Sequence, residues 1–159
     1  MIQKTLVLLK PDAVERGLSG EIIHRLERAG LKIVGMKMVW IDKEFASKHY
    51  DAHVKKSFYK SLEEYITSGP VIAMAIEGVD AVTVLRKMAG DTEPKKSAPG
   101  TIRGDFAVHS YEFADKKGIS IKNLIHSSGT PEEAEKEIGL WFKPKELHSY
   151  ETVHQKHTI

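Results

Sequence analysis

The sequence predicts an α+β domain in which helices pack against an antiparallel four-stranded sheet. Two uniformly apolar segments of strand length and several stretches of helically spaced apolar residues predict these elements. No segment separates the chain into parts, and 159 residues are enough for one core, so residues 1–159 are expected to form a single domain. The 41% hydrophobic and 29% charged fractions are typical of such a globular domain.

Strands and helices alternate in the first half of the chain. Residues 5–9 are apolar except for Thr5 and are followed by the turn residues Lys10-Pro11-Asp12, which indicates a buried strand. The next predicted elements are a helix over 19–30, a long strand over 31–41, a short helix over 42–50 and a helix that ends before Gly69-Pro70. Alternation in the long strand predicts one face that consists of Val34, Met36, Met38 and Trp40.

The second half continues the pattern and ends in a well-marked helix. Its predicted elements are a strand over 71–76, a helix over 80–90, a long surface loop over 91–101, a strand that ends at His126, and a last helix. Thr130 as N-cap, Pro131 at the first helical position and Glu133 as a capping-box acid define where that last helix begins. This order of elements is that of a ferredoxin-like βαββαβ sandwich with added helices.

Composition excludes several classes of function. No cysteine is present, which excludes disulfides, thiolate nucleophiles, iron–sulfur clusters and cysteine-ligated zinc. The net charge of +2 is too small to favour non-specific nucleic-acid binding, and the apolar run over 6–9 is too short to span a membrane. We therefore expect a cytoplasmic protein with neither a membrane partner nor a specific nucleic-acid partner.

The histidines do not form a recognisable metal motif. His49 and His53 lie four residues apart, but no His-Glu-x-x-His run accompanies them. We expect no metal ion to be bound directly by protein side chains.

His126 is the strongest single candidate for chemistry. It lies at the end of an apolar strand, one short loop before the capped helix, and α/β folds place reactive groups at such strand ends. A neutral imidazole there can act as a nucleophile or a general base. The same position also suits a hydrogen-bonded structural histidine, and the local pattern does not choose between these roles.

Cationic and polar residues that could bind phosphate are spread along the chain. They are Lys10, Arg86, Thr92 and Arg103. No Walker A run and no Gly-x-Gly-x-x-Gly turn occurs, so side chains would have to hold any phosphate. Taken singly, each of these residues is more typical of a solvated surface, and the spacing of Phe58 favours the apolar inner face of a helix over a base contact.

Several blocks, taken together and in order, resemble the nucleoside diphosphate kinase family. They are Lys10-Pro11-Asp12, Arg16-Gly17-Leu18, His49-Tyr50, Ser68-Gly69-Pro70, residues 99–106 (PGTIRGDF), residues 123–126 (NLIH) and residues 135–142 (EKEIGLWF). The resemblance covers nearly the whole chain. It implies a ping-pong kinase that moves the γ-phosphoryl group of a nucleoside triphosphate onto a nucleoside diphosphate through a phosphohistidine.

The resemblance also implies roles for individual residues. His126 matches the phosphorylated position, and Tyr50, Ser128 and Glu137 match positions that support it. The residues that match phosphate- and sugar-contacting positions are Lys10, Arg86, Thr92, Arg103 and Asn123, and Phe58 matches the residue that stacks on the base. Mg²⁺ held mainly by the nucleotide phosphates, broad base tolerance and a homo-oligomer, commonly a hexamer, are implied in the same way.

The chain departs from the usual family pattern in two places. An extra segment lies around residues 111–120, and its Asp115-Lys116-Lys117-Gly118 run predicts the turn of a hairpin extension. After His126, Ser127 and Gly129 stand where the family usually has glycine and aspartate.

Two other functions stay open on the residues. One is a non-enzymatic phosphohistidine carrier that a partner protein phosphorylates, which would leave the cations and Phe58 without a purpose. The other is a nucleic-acid-binding ferredoxin-like module, which would need an aromatic RNA-binding segment that the sequence lacks.

Overall fold

The computed structural model describes residues 1–159 and contains one antiparallel sheet of four strands in the order β2-β3-β1-β4. The strands are β1 (Ile2–Leu9), β2 (Lys32–Val39), β3 (Val71–Val79) and β4 (Ile125–Ser127). β1 lies inside the sheet and pairs with β3 on one side and β4 on the other, with Leu8 opposite His126. The predicted α+β fold class is confirmed.

Nine α-helices surround the sheet. They are α1 (Pro11–Glu15), α2 (Ser19–Arg28), α3 (Lys43–His49), α4 (Tyr59–Ile66), α5 (Ala81–Ala89), α6 (Ile102–Phe106), α7 (Tyr111–Lys117), α8 (Pro131–Trp141) and α9 (Gln155–Thr158). Short 3₁₀ turns cover Pro94–Lys96, inside the predicted 91–101 loop, and Pro144–Glu146. No helix is long and apolar enough to cross a bilayer.

The second half of β1 is buried on both faces. Val7 and Leu9 belong to an apolar cluster that includes residues of α2, α5 and α6, whereas Leu6 and Leu8 belong to a second cluster that includes residues of α3, α4 and α8. All these side chains on β1 are fully buried. Because helices cover both faces of residues 6–9, this second half of the strand is uniformly apolar instead of alternating, whereas the first half, which contains Gln3 and Lys4, is more exposed.

The predicted alternation in β2 is wrong at Val34. Val34 is buried, whereas Met36, Met38 and Trp40 are each more than half exposed. The pairing with β3 shifts between Ile33 and Gly35, so Val34 lies at a bulge that changes which residues face the core. A bulge depends on pairing with another strand and breaks the local two-residue period.

The extra segment is a helix and not the predicted hairpin. Ser110 caps α7 by accepting a hydrogen bond from the Phe113 amide at 3.2 Å, and Gly118 ends it with φ of +63°. The residues predicted as a hairpin turn therefore form the last turn and C-cap of this helix. The turn at Lys10-Pro11-Asp12 likewise leads into a short helix, α1, and His126 lies at the centre of β4, not at its end.

Two glycines in helical contexts provide opposite tests of this backbone. Gly118→Ala should lower the free energy of unfolding by about 1 kcal/mol, because an L-residue is disfavoured at positive φ. Gly139→Ala lies inside α8, where an added methyl meets no atom within 4 Å, and should raise it by about 0.5–1 kcal/mol. Urea unfolding at a fixed protein concentration measures both, and a shift of the same sign in the two variants would contradict the assigned conformations.

Candidate active site

His126 is held by a carboxylate from the last long helix. Its Nε2 lies 2.9 Å from Oε1 and 3.1 Å from Oε2 of Glu137, which projects from α8. Burial raises the pKa of Glu137, but its hydrogen bonds from His126 and Ser128 outweigh this, so the pKa lies below its usual value. An ionised carboxylate only accepts, which assigns the proton to Nε2 and leaves the lone pair of Nδ1 free.

Ser128 connects this pair to the centre of the sheet. Its hydroxyl donates to Oε2 of Glu137 at 2.5 Å and accepts from the Leu6 amide of β1 at 3.2 Å. Ser128 is fully buried, so neither bond competes with water. The chain of contacts β1–Ser128–Glu137–His126 thus orients the imidazole from the buried half of a central strand.

Sequence reasoning missed the role of His49 beside this group. Its ring centroid lies 4.9 Å from that of His126, and Trp141 donates a hydrogen bond from Nε1 to Nδ1 of His49 at 3.2 Å. Burial, with the neighbouring His126, lowers the pKa of His49 to about 3, so it stays neutral. The sequence offers one signal for this role, since His49 stands next to Tyr50 in a block that resembles the family. Its spacing to His53 suggests only a weak metal pair.

The polar atoms of His49, His126 and Glu137 lie within 4.8 Å of one another, as three metal ligands would. The bond from Trp141 uses the Nδ1 lone pair of His49, so the neutral ring carries its proton on Nε2. A protonated nitrogen cannot coordinate a metal. Nε2 of His49 is therefore a hydrogen-bond donor beside His126 and not a metal ligand. Tyr50, also buried, lines the same side of the imidazole.

On its other side His126 faces a polar cavity of about 330 Å³. The lining residues are Lys10, Arg86, Gly90, Asp91, Thr92, Arg103, Asn123, His126, Ser127, Gly129 and Glu133. None of them is hydrophobic. The fold thus brings together every residue that the sequence singled out for phosphate and sugar contacts, from the turn after β1, α5, the 91–101 loop, α6 and the segment before β4.

The buried cations of this cavity are tied to neutral oxygens. Lys10 donates from Nζ to Oδ1 of Asn123 at 2.7 Å, and Arg103 donates to the carbonyl oxygens of Gly90, Asn123 and Ile125 at 2.6–3.1 Å. Burial, with the nearby Arg103, lowers the pKa of Lys10 to about 7, and burial also lowers that of Arg103 to about 10. Asp12 offsets the charge of Lys10 only in part, so an anion in the cavity would stabilise these cations.

The segment before His126 has an unusual backbone. The Ile125 amide donates to the Asn123 carbonyl at 2.7 Å, and Leu124 between them has φ of +69°, which together form a γ-turn of the rare, strained kind. Such a conformation costs a non-glycine residue on the order of 1–3 kcal/mol. No local residue type marks it, since leucine ordinarily avoids this region.

Phe58 lies outside the lining of this cavity. It is the N-cap of α4 and about half exposed, so the expectation that its spacing places it on the buried helix face is wrong. Its ring lies 5.7 Å from that of His53, which lines the cavity on the Tyr50 side of His126. An exposed ring next to the site is available for stacking.

Ser127 and Gly129, which depart from the usual family pattern, both line the polar cavity beside His126. The Gly129 amide donates to Oε2 of Glu133 at 2.9 Å, and a Cβ added at Gly129 would lie 2.5 Å from the same oxygen. Glu133 therefore places its carboxylate where a side chain of residue 129 would begin. It bonds back to Gly129 and not, as a capping box would, to the N-cap Thr130.

Comparison with known proteins identifies the family. The family model described as nucleoside diphosphate kinase matches residues 3–147. The nucleoside diphosphate kinase of Pyrococcus horikoshii is 58% identical over 148 residues, which cover 93% of this chain and 90% of that protein. The enzyme of Listeria monocytogenes is 49% identical over 94% of this chain and 95% of its own length.

Solved structures agree with these relatives. A transition-state mimic of nucleoside-diphosphate kinase from Borrelia burgdorferi, with bound vanadate and ADP, superposes with a TM-score of 0.95 at 43% identity and covers 99% of this chain and 96% of that one. A halophilic nucleoside diphosphate kinase from Halobacterium salinarum in complex with CDP gives a TM-score of 0.88 at 42% identity, with coverage of 99% and 98%. This chain belongs to the nucleoside diphosphate kinase family.

Proposed function

We propose that His126 carries the phosphoryl group in this kinase and that Nδ1 is the attacking atom. The observation that carries the proposal is the contact between Nε2 and Glu137, which leaves Nδ1 as the free nitrogen beside a cationic cavity. The Nδ1 lone pair attacks the γ-phosphorus, the bond from that phosphorus to the bridging oxygen breaks, and the nucleoside diphosphate leaves. The reverse sequence then phosphorylates a second diphosphate.

Glu137 stabilises the phosphorylated state. When Nδ1 forms its bond to phosphorus, Nε2 keeps its proton and the ring acquires positive charge, which lies 2.9 Å from the carboxylate. No proton has to leave the ring in this step. Because Ser128 holds the carboxylate in place before the reaction, little reorganisation accompanies the charge change.

Lys10, Arg86 and Arg103 are proposed to bind the phosphates, with Thr92 and Asn123 contacting phosphate and sugar oxygens. Arginine and lysine donate only, so in their charged forms they offset the negative charge on the transferring oxygens. Asn123 already bonds to Lys10 and to the carbonyl of Thr92, which sets the orientation of its amide.

Mg²⁺ is proposed to be held mainly by the phosphate oxygens. The carboxylates on the cavity, Asp91 and Glu133, each accept a backbone hydrogen bond, from Glu93 and Gly129 respectively. They offer few free oxygens to a cation that prefers octahedral oxygen coordination, which fits a metal bound through its substrate. The chemistry that Mg²⁺ would supply when bound is neutralisation of the negative charge that develops on the phosphate oxygens.

The base is proposed to stack on the exposed ring of Phe58. Stacking is worth about 1–3 kcal/mol per base and tolerates any base because each has a π-face. The relatives with bound ADP and CDP hold a purine and a pyrimidine nucleotide, which supports broad base tolerance here. The cytoplasmic location expected from the sequence stays a prediction.

Labelling tests the phosphohistidine directly. The protein is incubated with γ-labelled ATP and Mg²⁺, and the wild type should take up an acid-labile, base-stable label. His126→Ala should take up no label, and its kcat should be lower by a factor of at least about a thousand. The label should then move to added diphosphates at rates that differ less than about tenfold between purines and pyrimidines, or 1.4 kcal/mol. His24→Ala, a histidine on α2, is the matched control and should label normally.

Label on a folded His126→Ala protein would contradict the assignment. No label on the wild type, with bound nucleotide still detectable, would instead favour a carrier that a partner protein phosphorylates.

Nucleotide binding should take up a proton at alkaline pH. With a pKa of about 7 in the free protein, Lys10 is mostly neutral at pH 8, and bound phosphate should restore its charge. Uptake should approach about 0.9 protons per ADP at pH 8 and fall to roughly 0.25 at pH 6.5, and affinity should weaken as the pH rises above 7. Calorimetry in buffers of different ionisation enthalpy measures this, and equal uptake by Lys10→Met would contradict it.

A homo-oligomer is also proposed, with a hexamer expected from the family resemblance. β2 is an edge strand whose first half is covered by the C-terminal segment, since the His148 amide bonds to the Val34 carbonyl and the Tyr150 hydroxyl to that of Ile33. Its second half carries the exposed Met36 and Met38, and the exposed Trp40 follows directly after the strand. Such an edge favours association.

Sedimentation equilibrium should give a mass several times 17.8 kDa. Met38→Lys should lower that mass, because a charge on an apolar contact surface disfavours association. Lys4→Met on β1 is a matched control that leaves the β2 edge unchanged. A wild type that sediments as a monomer at micromolar concentration would contradict the proposal.

A further inference from the structure

Asp12 is a buried carboxylate that the phosphate cavity does not use. It lies in the first turn of α1 and is 7% exposed. Oδ1 accepts a hydrogen bond from the Tyr65 hydroxyl of α4, and Oδ2 accepts one from the Leu124 amide at 3.1 Å. Neither Asp12 nor Tyr65 lines either cavity beside His126.

Through Leu124, this carboxylate reaches the strained γ-turn. The Leu124 amide is held by Asp12, and its carbonyl accepts from the Lys10 amide at 2.8 Å, so both polar backbone groups of this residue are fixed by the turn after β1. Leucine would ordinarily leave a backbone conformation with φ of +69°. Contacts with the rest of the fold must therefore keep it there.

The residues on either side of Leu124 belong to the proposed active site. Asn123 accepts from Nζ of Lys10 through its side chain and from Arg103 through its carbonyl, and Ile125 accepts from Arg103 at 2.6 Å. His126 follows directly. A relaxation of the turn would change the position of Asn123 relative to His126, because they lie on opposite sides of the residue that changes conformation.

We propose that Asp12 and Tyr65 are positioning residues for phosphoryl transfer, which hold the strained turn at Leu124 so that Nδ1 of His126 stays aligned with the phosphate cavity. The inference rests on the proposed role of His126. Tyr65 orients Asp12, and Asp12 acts on the backbone. Neither touches the reacting atoms.

Burial and the neighbouring Asp12 raise the pKa of Tyr65, so its hydroxyl remains a donor throughout the working range. The hydroxyl is the part that matters for this role. The ring makes separate contacts, with Nζ of Lys10 at 5.4 Å and Nζ of Lys122 at 4.5 Å from its centroid. Tyr65→Phe keeps the ring and removes only the bond to Asp12.

Asp12 also raises the pKa of Lys10 electrostatically, which is a different route to the site. Tyr65→Phe leaves the Asp12 charge in place, so a rate loss in this variant cannot come from a missing carboxylate. Asp12→Asn removes the charge but keeps an acceptor for the Leu124 amide. Comparison of the two variants therefore separates the effect of the hydrogen bonds that hold the turn from the effect of the Asp12 charge on Lys10.

The experiment measures the single-turnover rate of His126 phosphorylation by saturating Mg-ATP and, separately, the Kd for ADP. Tyr65→Phe should lower the saturating rate constant at least tenfold while the Kd changes less than threefold. In Asp12→Asn and the double variant the rate constants should agree within about twofold, since both substitutions act through one contact. Ile22→Val, fully buried on α2 in the same apolar cluster as Leu124 but without a hydrogen bond to the turn, serves as the stability control and should phosphorylate within twofold of wild type.

A wild-type rate in folded Tyr65→Phe would overturn the proposal, and so would an equal rate loss in Ile22→Val, which would reduce the effect to stability. A loss confined to the Kd, with the saturating rate unchanged, would overturn it as well. Failure of the proposed function is distinct, because the wild type itself would then take up no label.

Discussion

The three-residue pairing of β4 with β1 is the contact on which the proposed site depends. It places His126 opposite Leu8, and a slip of one residue would turn the imidazole to the other face of the sheet. So short a strand is not stable alone. It is held at one end by the Lys10 amide bonding to the Leu124 carbonyl and at the other by Ser128, which bonds to β1 through its amide and its hydroxyl.

The same arrangement explains why burial matters for the chemistry. β1 is covered on both faces, so the groups anchored to it are desolvated and their hydrogen bonds are strong. Ser128 transmits this rigidity to Glu137, and Glu137 fixes the tautomer of His126. On the opposite face of the ring His49 is kept neutral by burial, so no second positive charge competes with the one that forms on His126.

The cavity illustrates a conflict between stability and function. Buried cations that bond to carbonyl and amide oxygens cost desolvation free energy, which for Lys10 the nearby Asp12 offsets only in part. The lowered pKa of Lys10 reflects this burial, together with the nearby positive charge of Arg103. A phosphate chain supplies the missing negative charge, so binding recovers free energy that folding alone does not. The left-handed backbone at Leu124 is a second local cost in the same place.

The sequence by itself determined the order of the four strands and of five of the nine helices, the cap at Thr130 and the set of residues with phosphate chemistry, because periodicity, capping and residue type are local properties. Tertiary structure alone decided the bulge at Val34, the helix at Tyr111–Lys117 in place of a hairpin, the γ-turn at Leu124 and the proton position on His49. The bulge, the γ-turn and the His49 proton arise from contacts between residues far apart in the chain, which no local pattern encodes. In α7 the cap at Ser110 and the left-handed Gly118 suit a helix end as well as a turn, and only the folded backbone distinguishes the two.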